Sequence, residues 1–369
     1  MKQLRRAALL TASIGITALL TSCTAAPAPS APSGTPTAAS SSARPGEVAL
    51  TGTPQVVATG LQAPWSVVFR DGTPLVSERD SARILELADD GTTRPIGTVE
   101  GVAPGGEAGL LGLALDDRDR LYVYSTAADG NRIQRFEVTG AAGALSLGQP
   151  TTLIDQLPSA SNHDGGRIAF GPDKLLYATV GDAGERSRAQ DLDALNGKIL
   201  RMTPDGGVPA DNPFPGSLVY SYGHRNPQGL TWADDGTMFA PEFGQNTWDE
   251  LNIITPGANY GWPTVEGIAD NEEFTNPVQQ WEPSAASPSG ITQVNGTLFI
   301  ANLRGEVLRA VPVSDPSTST DYYVGEYGRI RDVAVTPDHR LWLVTGNTDG
   351  RGDPTPDDDR ILSVALGRA

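Results

Sequence analysis

LLGLALDDRDRLYVYS, residues 110–125, is two short apolar runs joined by the polar turn DDRD. Each run is too short for a helix and is rich in Leu, Val and Tyr, so the stretch reads as strand, turn, strand. NRIQRFEV (131–138) follows as a further strand. The same order recurs along the chain. WSVVFRDGTPLVSE (65–78) leads into ARILELADDG, and GGRIAFGPDKLLYATVGD (165–182) leads, after an insertion, into GKILRMTPDG. QGLTWADDGTMFAPEFG (228–244) leads into DELNIITPG, SGITQVNGTLFIANL (289–303) into GEVLRAV, and RIRDVAVTPDHRLWLVTG (329–346) into DRILSVAL. Six units at intervals of about 40 to 65 residues predict an all-β fold, a six-bladed β-propeller of four-stranded antiparallel blades. One such unit cannot bury both faces alone; packing around an axis does so. Val48 to Gly60 is expected to supply the strand that closes the ring. The folded domain is thus expected to span residues 48–369 as one unit, although length alone suggests two or three domains.

The N-terminus reads as an address. Lys2, Arg5 and Arg6 precede an apolar run from Ala7 to Leu20, too short for an ordinary membrane span. LTSC follows, and its Cys23 is the only cysteine of the 369 residues. Residues 1–22 are therefore expected to be a lipoprotein signal peptide and Cys23 a lipidation site. Residues 23–47 are rich in Ala, Pro, Ser and Thr without apolar periodicity, and read as a disordered tether. Together these place the domain outside the cytoplasmic membrane, held to it by lipid. The single cysteine excludes an internal disulfide framework and a Cys-rich zinc site. The formal charge of −17 excludes nucleic acid as a natural partner, because such a chain repels phosphates.

Function is expected in the loops between strands. SNHDGGRIAFGPD places His163 just before an apolar strand, where it is either a proton acceptor or an exposed histidine. Asp182, in VGDAGE, lies at the far end of the same hairpin. A hairpin returns its ends to neighbouring positions, so Asp182 is either a partner of His163 or a turn residue. In YGHRNPQG, Arg225 and Asn226 precede Pro227 in an extended turn; Arg225 is suited to a developing oxyanion or to a structural turn. In PEFGQNTWDELNIITPGANYGWP, Gly244 and Gln245 offer carbonyls and Asp249 and Glu250 carboxylates, the oxygen donors that calcium selects, though without EF-hand spacing. Arg329 and Arg331 alternate, so on a strand they share a face. Two cations together in so acidic a chain suggest an anionic ligand, or a surface pair bridged to acids. Two classes are open on these residues alone: a calcium-dependent propeller hydrolase such as a lactonase, and a non-catalytic carbohydrate-binding propeller.

GHRNPQG, followed at matching distance by EFGQNTWDELN and NYGWP, resembles the soluble glucose and aldose sugar dehydrogenases that depend on pyrroloquinoline quinone (PQQ), the glucose/sorbosone dehydrogenase family. The resemblance runs over nearly all of residues 55–366 and takes in GLLGLAL, NHDGGRIAFGPD, VGDAG, NGKILR, RIRDV and TDGRGDPTPDDDRIL. It implies a six-bladed propeller that oxidises aldose sugars to lactones and passes electrons to an external acceptor. It implies His163 as general base, Asp182 as its supporting acid, and Arg225 and Asn226 on the quinone oxygens. It implies Gly244 and Gln245 carbonyls on a calcium that also binds PQQ, and Arg329 and Arg331 gripping that tricarboxylate. Asp249, Glu250 and Tyr260 fall in the family's second, structural calcium region. Three positions differ from the glucose enzyme. Arg304 stands for a Lys, Gln245 for a Pro, and Glu107 for a Gln among the cofactor contacts. A carboxylate at 107 is expected to cost cofactor affinity unless it is protonated or turned away. Reduced insertions bring the chain closer to the broad aldose dehydrogenases than to the dimeric glucose enzyme.

Overall fold

A computed structural model describes residues 47–368. The leader, Cys23 and the tether up to residue 46 lie outside the described residues. Six four-stranded sheets follow one another along the chain as the repeat predicts. The first blade spans residues 64–98 and the second 110–157; the third spans 168–222 and the fourth 231–281. The fifth spans 288–322. The sixth takes Ile330–Val335, Arg340–Thr345 and Ile361–Arg368 and completes itself with Val48–Ala58. That last pairing runs antiparallel from Val48 opposite Arg368 to Ala58 opposite Ile361, so the start and end of the domain close the ring by main-chain hydrogen bonds. Among the described residues no helix is long and apolar enough to cross a membrane.

Strand pleating explains the packing. In the third blade Leu176, Ala178 and Val180 face Tyr122 and Tyr124 of the second, while Tyr177 between them faces Met238 and Ala240 of the fourth. Every residue of Leu176–Val180 is therefore buried. The first strand of each blade lies innermost, against the first strand of at least one neighbouring blade.

The hub where these strands meet is polar. Arg167, at the start of the third blade, reaches across the axis to Asp332 of the sixth at 3.1 Å. Its Nε donates to the Gln228 carbonyl at 2.9 Å and its Nη1 to Ser66 Oγ at 3.3 Å. Its guanidinium lies 4.3 Å from the centre of the Trp65 ring. Asp332 also accepts from the Val67 amide at 3.1 Å. Gly290 is required here, because a Cβ would stand 2.0 Å from Asp332 Oδ1.

Breaking one side of this pair leaves a buried charge without compensation. Arg167→Met is expected to cost about 3–5 kcal/mol in urea denaturation, and Arg167→Met with Asp332→Leu to recover much of it. Equal losses in the two variants would contradict the pairing.

Candidate active site

One end of the hub opens into a cavity of about 820 Å³, mouth included, floored by Trp65, Gln228 and Arg331. Its walls are the loops that deliver each innermost strand. Glu107 comes from the segment before the second blade, His163 from before the third, and Arg225 and Asn226 from before the fourth. Gly244, Gln245, Asp249, Arg304 and Arg329 complete the sequence-nominated residues on the wall. Asp182 lies behind His163. Glu250 and Tyr260 line a separate, much smaller cavity with Glu242 and Glu266.

The His163–Asp182 hairpin closes as its sequence suggests, with His163 Nδ1 2.7 Å from Asp182 Oδ1. His163 holds a left-handed backbone, φ +63°, fixed by its amide donating to Glu107 Oε2 at 2.9 Å. Its carbonyl accepts from Ala183 at 3.2 Å and passes so close to Gly181 that a Cβ there would stand 1.8 Å away. Asp182 is fully buried and accepts twice more, from the Gly184 amide and from Trp262 Nε1, each at 2.8 Å. Burial alone would raise its pKa; the bonds from His163, Gly184 and Trp262 outweigh it and hold the carboxyl below its ordinary range. An ionised carboxylate only accepts, so Nδ1 carries a ring proton, and Nε2 makes no hydrogen bond to a described residue.

Arg329 and Arg331 share one face and are buried in the cavity rather than on the surface. Asp349 lies beneath them, 2.9 Å from Arg329 and 3.6 Å from Arg331. Arg331 also donates to Gln228 Oε1 at 2.8 Å and Ser289 Oγ at 3.2 Å. Burial pulls its pKa down to about 10, which still leaves a cation at neutral pH. One carboxylate thus serves two guanidiniums, and the pair keeps a net positive charge. Arg225 donates to the Phe243 carbonyl at 3.2 Å and lies 5.5 Å from the Trp262 ring centre, while its Nε has no partner among the described residues. Arg304 is exposed at the rim. Glu107 meets neither condition set for it by the sequence. It is neither protonated nor turned away: it lines the cavity with its pKa lowered, and Arg351 Nη1 donates to it at 3.1 Å.

The loop after the fourth blade's second strand has its amides turned inward. Glu266 Oε1 accepts from Gln245 at 2.7 Å, Asn246 at 3.1 Å, Thr247 at 2.9 Å and Trp248 at 3.1 Å. The Gly244 amide goes to Asp249 Oδ1 at 2.8 Å. The Gly244 and Gln245 carbonyls accept from no described residue. Asp249 also takes the Ser287 amide at 2.6 Å, and burial pushes its carboxyl up to about 6. Asp249 therefore separates from Glu250 and Tyr260, because adjacent strand residues point to opposite faces. Burial and the Glu242 charge push the Glu250 carboxyl well up. Tyr260 stacks on His224, ring centres 4.6 Å apart, and its hydroxyl donates to Ile253 at 2.6 Å. Among the described residues no three His, Cys, Asp or Glu side chains are grouped to hold a metal. A cation at the large cavity would therefore lean on carbonyls, and the free Gly244 and Gln245 oxygens beside Asp249 suit a hard one.

Trp262, Asp349, Glu266 and Arg351 are structural members of the site that residue reading passes over. Trp262 sits in the quoted NYGWP, and Asp349 and Arg351 in the quoted TDGRGD; a lone cation in an acidic segment is the signal Arg351 offers.

Glu266 yields a pH test. Burial opposes its charge, but the four amides outweigh it and its folded pKa lies below the ordinary 4.5. Its stabilisation is present above pH 4.5 and is lost as pH falls through the lower folded value. Glu266→Gln should melt lower at pH 7 and lose less stability on acidification than the wild type; parallel melting curves would contradict this.

The comparisons agree with one another. The glucose/sorbosone dehydrogenase family profile matches residues 61–353. A PQQ-bound aldose sugar dehydrogenase structure from Streptomyces coelicolor superposes with TM-score 0.83 at 47% identity, covering 88% of this chain and 99% of that one. An aldose sugar dehydrogenase of Escherichia coli is 31% identical over 80% of this chain and 90% of its own length. Quinoprotein glucose dehydrogenase B of Acinetobacter calcoaceticus is 31% identical over 60% of this chain and 54% of its own. On this evidence the chain belongs to the glucose/sorbosone dehydrogenase family.

Proposed function

We propose that this protein is a quinoprotein that oxidises aldose sugars at the anomeric carbon to lactones, using PQQ and calcium. The observation that carries the reading is the meeting, on one cavity, of a histidine with a free ring nitrogen and a buried pair of guanidiniums. The donor chemistry fits the cofactor. Five arginines line the cavity against two carboxylates, Glu107 and Asp249, in a chain of formal charge −17. A tricarboxylate is the kind of ligand such a wall selects. When bound, PQQ supplies the quinone that takes up the hydride of the sugar.

His163 accepts the proton of the anomeric hydroxyl at Nε2. Asp182 holds the ring by Nδ1 and stabilises the imidazolium that results; Trp262 holds Asp182. Arg225 has donors left for oxygen on which negative charge develops, and Asn226 adds an amide donor beside it. Arg329 and Arg331 grip carboxylates, with Arg304 at the rim. The Gly244 and Gln245 carbonyls would hold calcium in the cavity, with Asp249 beside them on the wall. Glu250 and Tyr260, on the small neighbouring cavity, would belong to a second, structural calcium region. Calcium would supply a fixed positive charge against the anionic cofactor. Released electrons go to an external acceptor. In this reading the domain is extracytoplasmic, held to the cell membrane by lipid on Cys23.

Two variants separate the roles. The chain from residue 24 is titrated with PQQ and calcium, and aldose-dependent dye reduction is followed. Arg331→Ala should weaken PQQ binding about tenfold or more. His163→Ala should keep PQQ affinity and lower turnover about 10²–10⁴-fold. Equal loss of PQQ affinity in both variants would overturn this division, and absence of PQQ binding by the wild type would end the dehydrogenase reading.

A further inference from the structure

Glu107 ties together loops from four blades. Its Oε2 accepts from the His163 amide at 2.9 Å, from Asn226 Nδ2 at 3.1 Å and, more weakly, from Gln228 Nε2 at 3.5 Å. Its Oε1 accepts from Arg351 Nη1 at 3.1 Å. Arg351 reaches in from the sixth-blade loop between Arg340–Thr345 and Ile361–Arg368, with its side chain 52% exposed; that of Glu107 is 16% exposed. So a carboxylate stands on the wall of a cavity whose cationic lining suits an anion, and each of its hydrogen-bond partners donates to it.

We propose that Arg351 is the charge-compensating and positioning partner of Glu107. It neutralises the carboxylate that fixes the His163 main chain and Asn226, so that the same wall tolerates an anionic cofactor. The inference rests on the cavity being the PQQ site. The chemistry of the pair explains why it comes as a unit. A glutamine at 107 could accept from His163 with its oxygen, but its amide nitrogen would then face the Arg351 guanidinium, donor against donor. Glutamate needs the arginine, and glutamine does without it. An ionised Glu107 left without Arg351 would repel every carboxylate that approaches Arg329 and Arg331.

The test is PQQ affinity, read by fluorescence titration of the calcium-loaded full chain, for the wild type, Glu107→Gln, Arg351→Ala and the double variant. Circular dichroism checks folding, and Arg351→Gln repeats the charge loss with the stem kept. Arg351→Ala and Arg351→Gln should weaken binding about tenfold. Glu107→Gln alone should weaken it as well, because its amide meets the Arg351 guanidinium donor against donor, and adding Glu107→Gln to Arg351→Ala should restore affinity to within about threefold of the wild type. A merely structural loss would not be rescued by removing a second partner. Wild-type affinity in Arg351→Ala overturns the proposal. So does a double variant as weak as Arg351→Ala, because Arg351 would then act on the cofactor itself. A wild-type chain that binds no PQQ overturns the cofactor reading first, and is told apart because no variant enters into it.

Discussion

The contact between Arg167 and Asp332 across the axis sets the geometry of everything above it. Two buried charges on opposite blades are costly unless both are matched, and each is matched by groups from other blades. Ser66, Val67 and the Gln228 carbonyl supply those matches, so the first, third, fourth and sixth blades are held at one spacing. Gln228 then uses its side chain to hold Arg331, and Trp65 lies under Arg167. The floor of the cavity is therefore the top of the hub. A wall built on such a floor is preorganised, which is what a proton acceptor and an anion clamp both need.

Electrostatics divides the molecule in two. The chain as a whole is strongly acidic, yet five of its arginines gather on this one cavity. Three of them are restrained by an acid placed to one side: Asp349 beneath Arg329 and Arg331, Glu107 beside Arg351. Asp349 is itself buried, and the two arginines above it outweigh that burial and keep it ionised. The result is a cationic cavity whose charges are fixed in position rather than free to swing into solvent.

The blade repeat was legible because strand, turn and strand recur with apolar residues that only a ring of sheets can bury. The closing strand Val48–Ala58 was legible for the same reason, since the last unit lacks one. The approach of Asp182 to His163 could be read because both ends belong to one hairpin. Trp262 and Arg351 could not, since they reach the site from other blades and no local pattern records that. Asp249 and Glu250 were read together as neighbours in sequence; the strand pleat sends them to different cavities. Glu107 was read as a liability because its partner lies 244 residues away. Part of the family resemblance rested on motifs whose residues lie in the wall of this cavity, while their partners there come from other parts of the chain.

The central claim is that this cavity holds the quinone with its carboxylates on Arg329 and Arg331 and its reactive end toward His163. A crystal structure of the chain with PQQ and calcium tests that most directly. The account predicts quinone density over Trp65, carboxylate oxygens within hydrogen-bond distance of both arginines, and His163 Nε2 facing open space where a sugar hydroxyl fits. Quinone density elsewhere, or a cavity whose arginines stay bound only to Asp349 at saturating PQQ, would contradict it.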